Sequence, residues 1–366
     1  MKKVLVIFGT RPEAIKMCPL VLELKKSEKL ETLVCVTGQH REMLKQVLDI
    51  FKVVPDYDMA IMKKGQDLTD VTMAILAGMR KILKKEKPDI VLVHGDTSTA
   101  FAASLAAFYQ LIPVGHVEAG LRTYNMKSPY PEEFNRQTIG LTASLHFAPT
   151  QKAADALLKE GKDSDRVFVT GNTGIDALHY TVRNDFYHPE IEWAKGSRLI
   201  AVTAHRRENL GEPMRDMFQA IHRIVEEFTD VKVIYPVHLN PQVRKIADEE
   251  FGGCKRIHLI EPLDVVEFHN LMKASYLIMT DSGGIQEEAP GLGKPVLVMR
   301  DTTERPEGVE AGTLKLVGTK MDGIYRECRQ LLTEPEIYKK MSEARNPYGD
   351  GTASIKIRKI LEDIDA

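Results

Sequence analysis

Tyr276-Leu277-Ile278-Met279-Thr280-Asp281-Ser282-Gly283-Gly284-Ile285-Gln286-Glu287-Glu288-Ala289 is an apolar run, a polar glycine-bearing turn and a helix-compatible stretch in succession. The run reads as a buried strand, and the turn is where a parallel sheet hands the chain to a covering helix. Ser282 can cap that helix, while Gly283 and Gly284 let a ligand reach bare backbone N–H groups. Such a helix N-terminus favours an anion, for example a diphosphate. Glu288 is expected about two turns inside the helix, too deep to repel the anion but able to accept bonds from sugar hydroxyls. A capped helix after a strand turn also occurs in any α/β protein, so this stretch alone leaves both readings open.

The same strand-then-helix alternation extends in both directions, the pattern of βαβ units and parallel sheets. Upstream, strands are expected at Val4–Phe8, Leu33–Val36, Ile90–Val93, Val114–Val117, Leu145–Ala148 and Val167–Thr170. A second series comprises Leu199–Thr203, Val231–Val237, Ile257–Ile260, Tyr276–Met279 and Pro295–Met299. Gly171-Asn172-Thr173-Gly174 marks the boundary between them. The expected architecture is α/β, with two doubly wound Rossmann-like domains facing across a cleft, spanning 1–171 and 172–351. The amphipathic end of the chain, 352–366, closes as a helix on the first domain. Ligands in such sheets sit beyond the carboxyl ends of the strands.

Composition excludes several classes. A formal net charge of −2 over 366 residues gives no basis for a nucleic-acid partner or an anionic membrane surface. Cys18, Cys35, Cys254 and Cys328 are scattered, without zinc or disulfide spacing, which fits a reduced, cytoplasmic setting. Thr97 to Val117 lacks charge and is long enough to span a bilayer, but Pro113 breaks it between Asp96 and Glu118. It is read as a buried helix followed by a core strand, and no membrane partner is expected.

Chemistry-bearing residues fall at the strand ends. Gly9-Thr10-Arg11-Pro12-Glu13 lacks the Gly-x-Gly-x-x-Gly of a dinucleotide fold, which argues against a nicotinamide cofactor. Arg11 and Lys16 are candidate phosphate partners, the competing reading being that Arg11 pairs with Glu13. Asp96, Glu118 and Glu132, the last in the loop 128–133, are expected at one rim. Converging like charges raise one another's pKa and suit proton transfer near neutrality. Capping competes with this reading, Asp96 before Thr97 above all, and no spacing supports a metal site. From the second domain, Thr203-Ala204-His205-Arg206-Arg207-Glu208-Asn209 offers an anion site, or a solvated basic loop. His238 follows another strand and is either a ligand contact or a satisfied rim histidine.

Several stretches together resemble the non-hydrolysing UDP-N-acetylglucosamine 2-epimerases. They are Phe8 to Ala14, His94-Gly95-Asp96-Thr97, Gly115 to Arg122, Pro131-Glu132-Glu133 with Asn135-Arg136, His205-Arg206-Arg207-Glu208, Thr280 to Ala289, Arg300 to Glu307 and Asn346 to Gly351. The resemblance runs from Lys3 to the final helix. It implies a glycosyltransferase-B-like fold and interconversion of UDP-N-acetylglucosamine and UDP-N-acetylmannosamine through 2-acetamidoglucal, with no metal or nicotinamide, in a homodimer. Carried over residue by residue, it makes Asp96, Glu118, Glu132 and His205 catalytic, with Arg136 in support. Arg11, Lys16, Ser282, Gly283, Gly284 and Glu288 would hold UDP. Gln39, His40, Gln66, Arg206 and His238 match a second, activating substrate site of some bacterial members. There the sequence departs from strongly regulated relatives, with Glu42 and Gly65 in place of Gln and Arg. Which carboxylate serves which face of the sugar stays open. A retaining UDP-sugar glycosyltransferase, a hydrolysing epimerase and a silent nucleotide-sugar sensor are the alternatives.

Overall fold

The computed structural model describes residues 1–38, 41–63 and 65–364. Among these the chain forms two compact units, Met1–Tyr180 with Tyr348–Ala366, and Thr181–Pro347. The first unit runs β1 (Lys2–Phe8), α1 (Arg11–Leu24), β2 (Leu30–Val36), α2 (Arg41–Phe51), β3 (Tyr57–Asp58) and α3 (Leu68–Glu86). It continues through β4 (Ile90–His94), α4 (Ser98–Phe108), β5 (Val114–Val117), α5 (Glu132–Thr142), β6 (Leu145–Ala148), α6 (Gln151–Lys159), β7 (Val167–Val169) and α7 (Thr173–Thr181).

All seven strands described in this unit are parallel, in the order β3-β2-β1-β4-β5-β6-β7. Their near-continuous apolar runs follow from burial on both faces. One layer packs α1, α2 and the terminal helix on Val4, Val6 and Phe8; the other packs α3 and α4 on Leu5, Ile7 and Val91. α4 is alanine-rich because it is enclosed by neighbouring helices, which accounts for the uncharged stretch 97–117. No helix among the described residues is long and apolar enough to cross a membrane.

The second unit runs α8 (Pro189–Trp193), β8 (Arg198–Thr203), α9 (Glu212–Glu227), β9 (Val231–Pro236), α10 (Pro241–Phe251), β10 (Ile257–Ile260) and α11 (Val265–Ala274). Then come β11 (Leu277–Thr280), α12 (Ile285–Gly291), β12 (Val296–Val298), α13 (Pro306–Glu310), β13 (Leu314–Leu316), α14 (Met321–Thr333) and α15 (Pro335–Ser342). Its parallel sheet has the order β10-β9-β8-β11-β12-β13. α16 (Ala353–Asp363) returns to the first unit, where Asp176 accepts the N–H groups of Ala353 and Ser354 at 3.2 and 2.7 Å.

Both sheets reverse their winding direction once, between β1 and β4 and between β8 and β11. A crevice for ligands opens at such switch points, beyond the carboxyl strand ends. Register sets what stands there. Val6 lies opposite Leu92 and His94 opposite Val117, so Gly9, Gly95 and Glu118 leave one edge together. In the second unit Thr203 stands opposite Thr280.

Two buried histidines, His116 on β5 and His146 on β6, lie side by side in the first sheet. Burial pushes their pKa values down to about 3 and about 4. The folded chain keeps both rings neutral, whereas an unfolded histidine takes up its proton near pH 6.5. Their contribution to stability is therefore full above that pH and is lost as pH falls toward 4, because protons bind the unfolded chain first. By pH 5 the loss is about 2 kcal/mol per histidine. Unfolding midpoints measured from pH 7 to 5 should fall less steeply in His146→Leu than in the wild type; equal slopes would refute the assignment.

Candidate functional site

At the first switch point Glu13 organises the backbone. Its Oε2 accepts the N–H groups of Gly9 (3.0 Å) and Thr10 (2.8 Å), and its Oε1 accepts the Thr97 hydroxyl at 2.7 Å. Thr10 answers by capping α1, completing a capping box. These bonds, and not Arg11, occupy the Glu13 carboxylate. Thr97, not Asp96, caps α4, its side chain accepting the Ala100 N–H at 3.0 Å.

That leaves Asp96 for another partner. Arg136 Nε donates to Asp96 Oδ2 at 2.7 Å, and Asn135 Nδ2 donates to the Asp96 carbonyl at 2.8 Å. Arg136 is steadied by Glu133, which also accepts the N–H groups of Thr123 and Tyr124, both at 3.0 Å. Glu132 is the first residue of α5, where a loop position was expected, because the helix begins as soon as Pro131 ends the preceding turn. Its Oε2 is buried and accepts no hydrogen bond among the described residues.

Glu118 is the most constrained member. It has a φ of +62°, in the left-handed region that non-glycine residues adopt only when their surroundings enforce it. Its buried carboxylate forms an ion pair with Lys16, accepts a bond from Asn172 Nδ2 at 3.1 Å and lies 3.4 Å from His94 Nε2. Burial alone would raise its pKa, but the charge of Lys16 and then His94 carries it well below the ordinary range. The expectation that clustered carboxylates push one another upward therefore fails at Glu118, because a cation is nearer than any second carboxylate the hydrogen bonds reveal. Lys16, expected on phosphate, is held by Glu118.

In the second unit Asp281 plays the part that Glu13 plays in the first. It is fully buried, and its Oδ2 accepts the N–H groups of His205 and Arg206, both at 2.9 Å, and Asn209 Nδ2 at 3.2 Å. Its Oδ1 lies 3.5 Å from His205 Nδ1. The His205 ring stacks on His238, with centroids 5.3 Å apart. Burial lowers the His205 pKa, and His238 and Arg206 lower it further against the pull of Asp281. The free protein thus presents His205 as a neutral hydrogen-bonding ring.

The Ser282 turn differs from its expected form in two respects. Ser282 does not cap the helix: α12 starts at Ile285, and Gly284 stands at its cap position without a side-chain bond. The Ser282 N–H is turned back to Thr280 Oγ1 at 2.9 Å, which pulls the residue out of capping geometry. Glu288 consequently lies in the first turn of α12, and its Oε2 is 3.4 Å from His269 Nε2. Above Gly283 sits the Arg305 guanidinium, 3.6 Å from where a Cβ would stand, tied to Glu287 at 2.6 Å. A bare backbone beneath a guanidinium is suited to an anion, although here Arg305 also donates to Glu304 at 3.1 Å; the sequence motif contained Arg305 without a role.

Of the residues matched to a second site, Gln66 accepts the Lys63 N–H at 2.5 Å, and Arg206 and His238 belong to the His205 loop and its stacking partner. Gln39 and His40 lie outside the described residues.

Comparison with known proteins bears on these arrangements. The family profile for UDP-N-acetylglucosamine 2-epimerase matches residues 22–362. A Bacillus subtilis UDP-N-acetylglucosamine 2-epimerase is 62% identical over 362 residues, covering 99% of this chain and 94% of the relative. The chain belongs to the UDP-N-acetylglucosamine 2-epimerase family.

Solved structures agree with that membership. A Listeria monocytogenes homologue superposes with a TM-score of 0.95 at 56% identity, covering 99% of this chain and 96% of its own. A Neisseria meningitidis UDP-N-acetylglucosamine 2-epimerase, solved with UDP-N-acetylglucosamine bound, superposes with a TM-score of 0.89 at 50% identity, covering 98% and 99%. Two parallel-sheet Rossmann-like units are thus the glycosyltransferase-B-like fold class of this epimerase family. Glu13, His94, Asn172, Asp281 and Arg305 carry its strand-end geometry in this chain, although sequence reasoning gave none of them a role. Four of the five sit inside or beside stretches already picked out; Asn172 was visible only as part of a domain-boundary turn.

Proposed function

We propose that this protein interconverts UDP-N-acetylglucosamine and UDP-N-acetylmannosamine by epimerising sugar carbon 2 through elimination and re-addition of UDP. A carboxylate takes the proton from carbon 2. The C–H electrons form the bond between carbons 1 and 2, and the bond from carbon 1 to UDP breaks with its electron pair. The bound 2-acetamidoglucal then receives a proton on its opposite face as the UDP oxygen re-forms the bond to carbon 1. Configuration inverts at carbon 2, with no water consumed and no change of oxidation state.

The observation that supports this best is the unequal treatment of the first unit's carboxylates. Glu118 is held ionised, ready to accept a proton once a bound diphosphate competes for Lys16. Glu132 keeps a buried oxygen without a bond, suited to carrying the proton for the other face. Asp96 accepts from Arg136 Nε and is thereby fixed in place. In the second unit Arg305, Ser282, Gly283 and Gly284 hold the diphosphate, His205 donates a hydrogen bond to it, and Glu288 accepts from the ribose. Two copies are expected to assemble, the exposed Phe108, Leu111, Phe134 and Leu141 on and beside α4 and α5 supporting an apolar contact.

Proton NMR of the protein with UDP-N-acetylglucosamine in deuterated water tests the reaction. UDP-N-acetylmannosamine carrying deuterium at carbon 2 is expected. Release of free N-acetylmannosamine, or an unchanged sugar nucleotide, would overturn the reading. Because the Ser282 side chain caps nothing, Ser282→Ala should weaken UDP binding about tenfold and leave the unfolding midpoint unchanged. A lowered midpoint with unaltered UDP affinity would return Ser282 to a structural role.

A further inference from the structure

Arg300 stands just beyond β12, its side chain only 9% exposed. A guanidinium offers five N–H donors, and those of Arg300 keep access to the space beside them. Among the described residues its side chain has an ion pair with the solvent-exposed Glu208 at 3.4 Å and no hydrogen bond. Burial and then repulsion from Arg206 lower its pKa, against the pull of Glu208, Glu304 and Asp281.

It lines a cavity of about 270 Å³ together with Asn209, Thr319, Glu208, Asp301 and Thr302. Arg300, Asn209 and Thr319 are buried, and Glu208, Asp301 and Thr302 form the exposed rim. At roughly 30 Å³ per water, the space admits several waters or one small oxyanion. The polar groups are of two kinds. Arg300 and the threonine hydroxyls donate, whereas the carboxylates of Asp301 and Glu208 only accept. An ion that solely accepts, such as sulfate, satisfies the first set and is repelled by the second. A phosphate that keeps a proton at neutral pH accepts from Arg300 and donates to a carboxylate.

We propose that the cavity beside Arg300 binds a protonated oxyanion of the phosphate type, at a site separate from the Ser282 turn. Asn209 connects the two. The same residue that lines the cavity donates to Asp281, and Asp281 holds the backbone of His205 and Arg206. Occupancy therefore bears on the loop that presents His205.

Calorimetric titration of inorganic phosphate into the UDP-saturated protein tests this, since UDP keeps phosphate off the Ser282 turn. Saturable single-site binding is expected, at least about tenfold weaker in Arg300→Gln and in Thr319→Val, with little binding of sulfate. Asp301→Asn, which turns an acceptor into a donor, should admit sulfate. If Arg300→Gln fails to fold, Thr319→Val and Asp301→Asn decide. Absence of phosphate heat, displacement by UDP, equal binding in Thr319→Val, or equal binding of sulfate to the wild type would each overturn the proposal. If UDP itself fails to bind, the reading of the Ser282 turn falls, and phosphate titrated alone still judges the Arg300 cavity through the same variants.

Discussion

Glu118→Gln is expected to lower kcat by about 10³-fold, the range that removal of a positioned acid–base group usually commands. The amide cannot take a proton from carbon 2, and deuterium exchange there should vanish in step with turnover. UDP affinity should stay within a few-fold, because the Ser282 turn and Arg305 still hold the diphosphate. A second effect follows from burial. Lys16, its side chain 14% exposed, would lose the charge of Glu118 and stand beside a neutral amide. Breaking a buried pair from one side costs about 3 kcal/mol, so the variant should also unfold more easily. Lys16→Met in the Glu118→Gln background should recover most of that stability and none of the turnover. Wild-type exchange at carbon 2 in the single variant would remove Glu118 from the chemistry.

Asp281→Ala is expected to release the loop that carries His205. Three donors, the N–H groups of His205 and Arg206 and Asn209 Nδ2, lose their common acceptor in a fully buried place. At 1–3 kcal/mol per orphaned group, partly relieved by entering water, the loss is about 4 kcal/mol. Hydrogen exchange should rise sharply over residues 204–211, and KM should increase while the first unit keeps its protection pattern. Unchanged exchange in that segment would show that other contacts hold the loop. Asp281→Asn keeps one acceptor oxygen and should fall between the variant and the wild type.

These two residues also mark how far the sequence could be read. Alternation of apolar runs with helical ones placed the longer strands, because burial on both faces leaves a signal that needs no tertiary context. The two-residue β3 escaped notice because it is too short to show a period, and the three-residue β13 because Lys315 interrupts its apolar run. The glycine turns at Gly9 and Gly283 were legible from local composition. What those turns do was not. The state of Glu118 depends on Lys16, 102 positions away, and Asp281 acts on a loop about 75 positions earlier. Such pairings leave no trace in local spacing, since only the packing of α1 and the strand-end loops on the sheets brings them together. Ser282 illustrates the opposite error. Its type and position fit a helix cap, yet a neighbouring threonine hydroxyl claims its N–H and delays the helix.

The return of α16 to the first unit has a consequence for how the chain is made. Arg358 bonds Glu23 at 3.0 Å, Lys2 reaches the Leu361 carbonyl at 2.8 Å, and Ile357 and Leu361 complete the core over α1. During synthesis residues 1–180 emerge before the helix that covers them, and the whole second unit lies in between. The second unit, contiguous from Thr181 to Pro347, holds all its own parts earlier. Until α16 emerges, therefore, the nascent first unit carries an uncovered apolar face beside α1 while the second unit is already being completed.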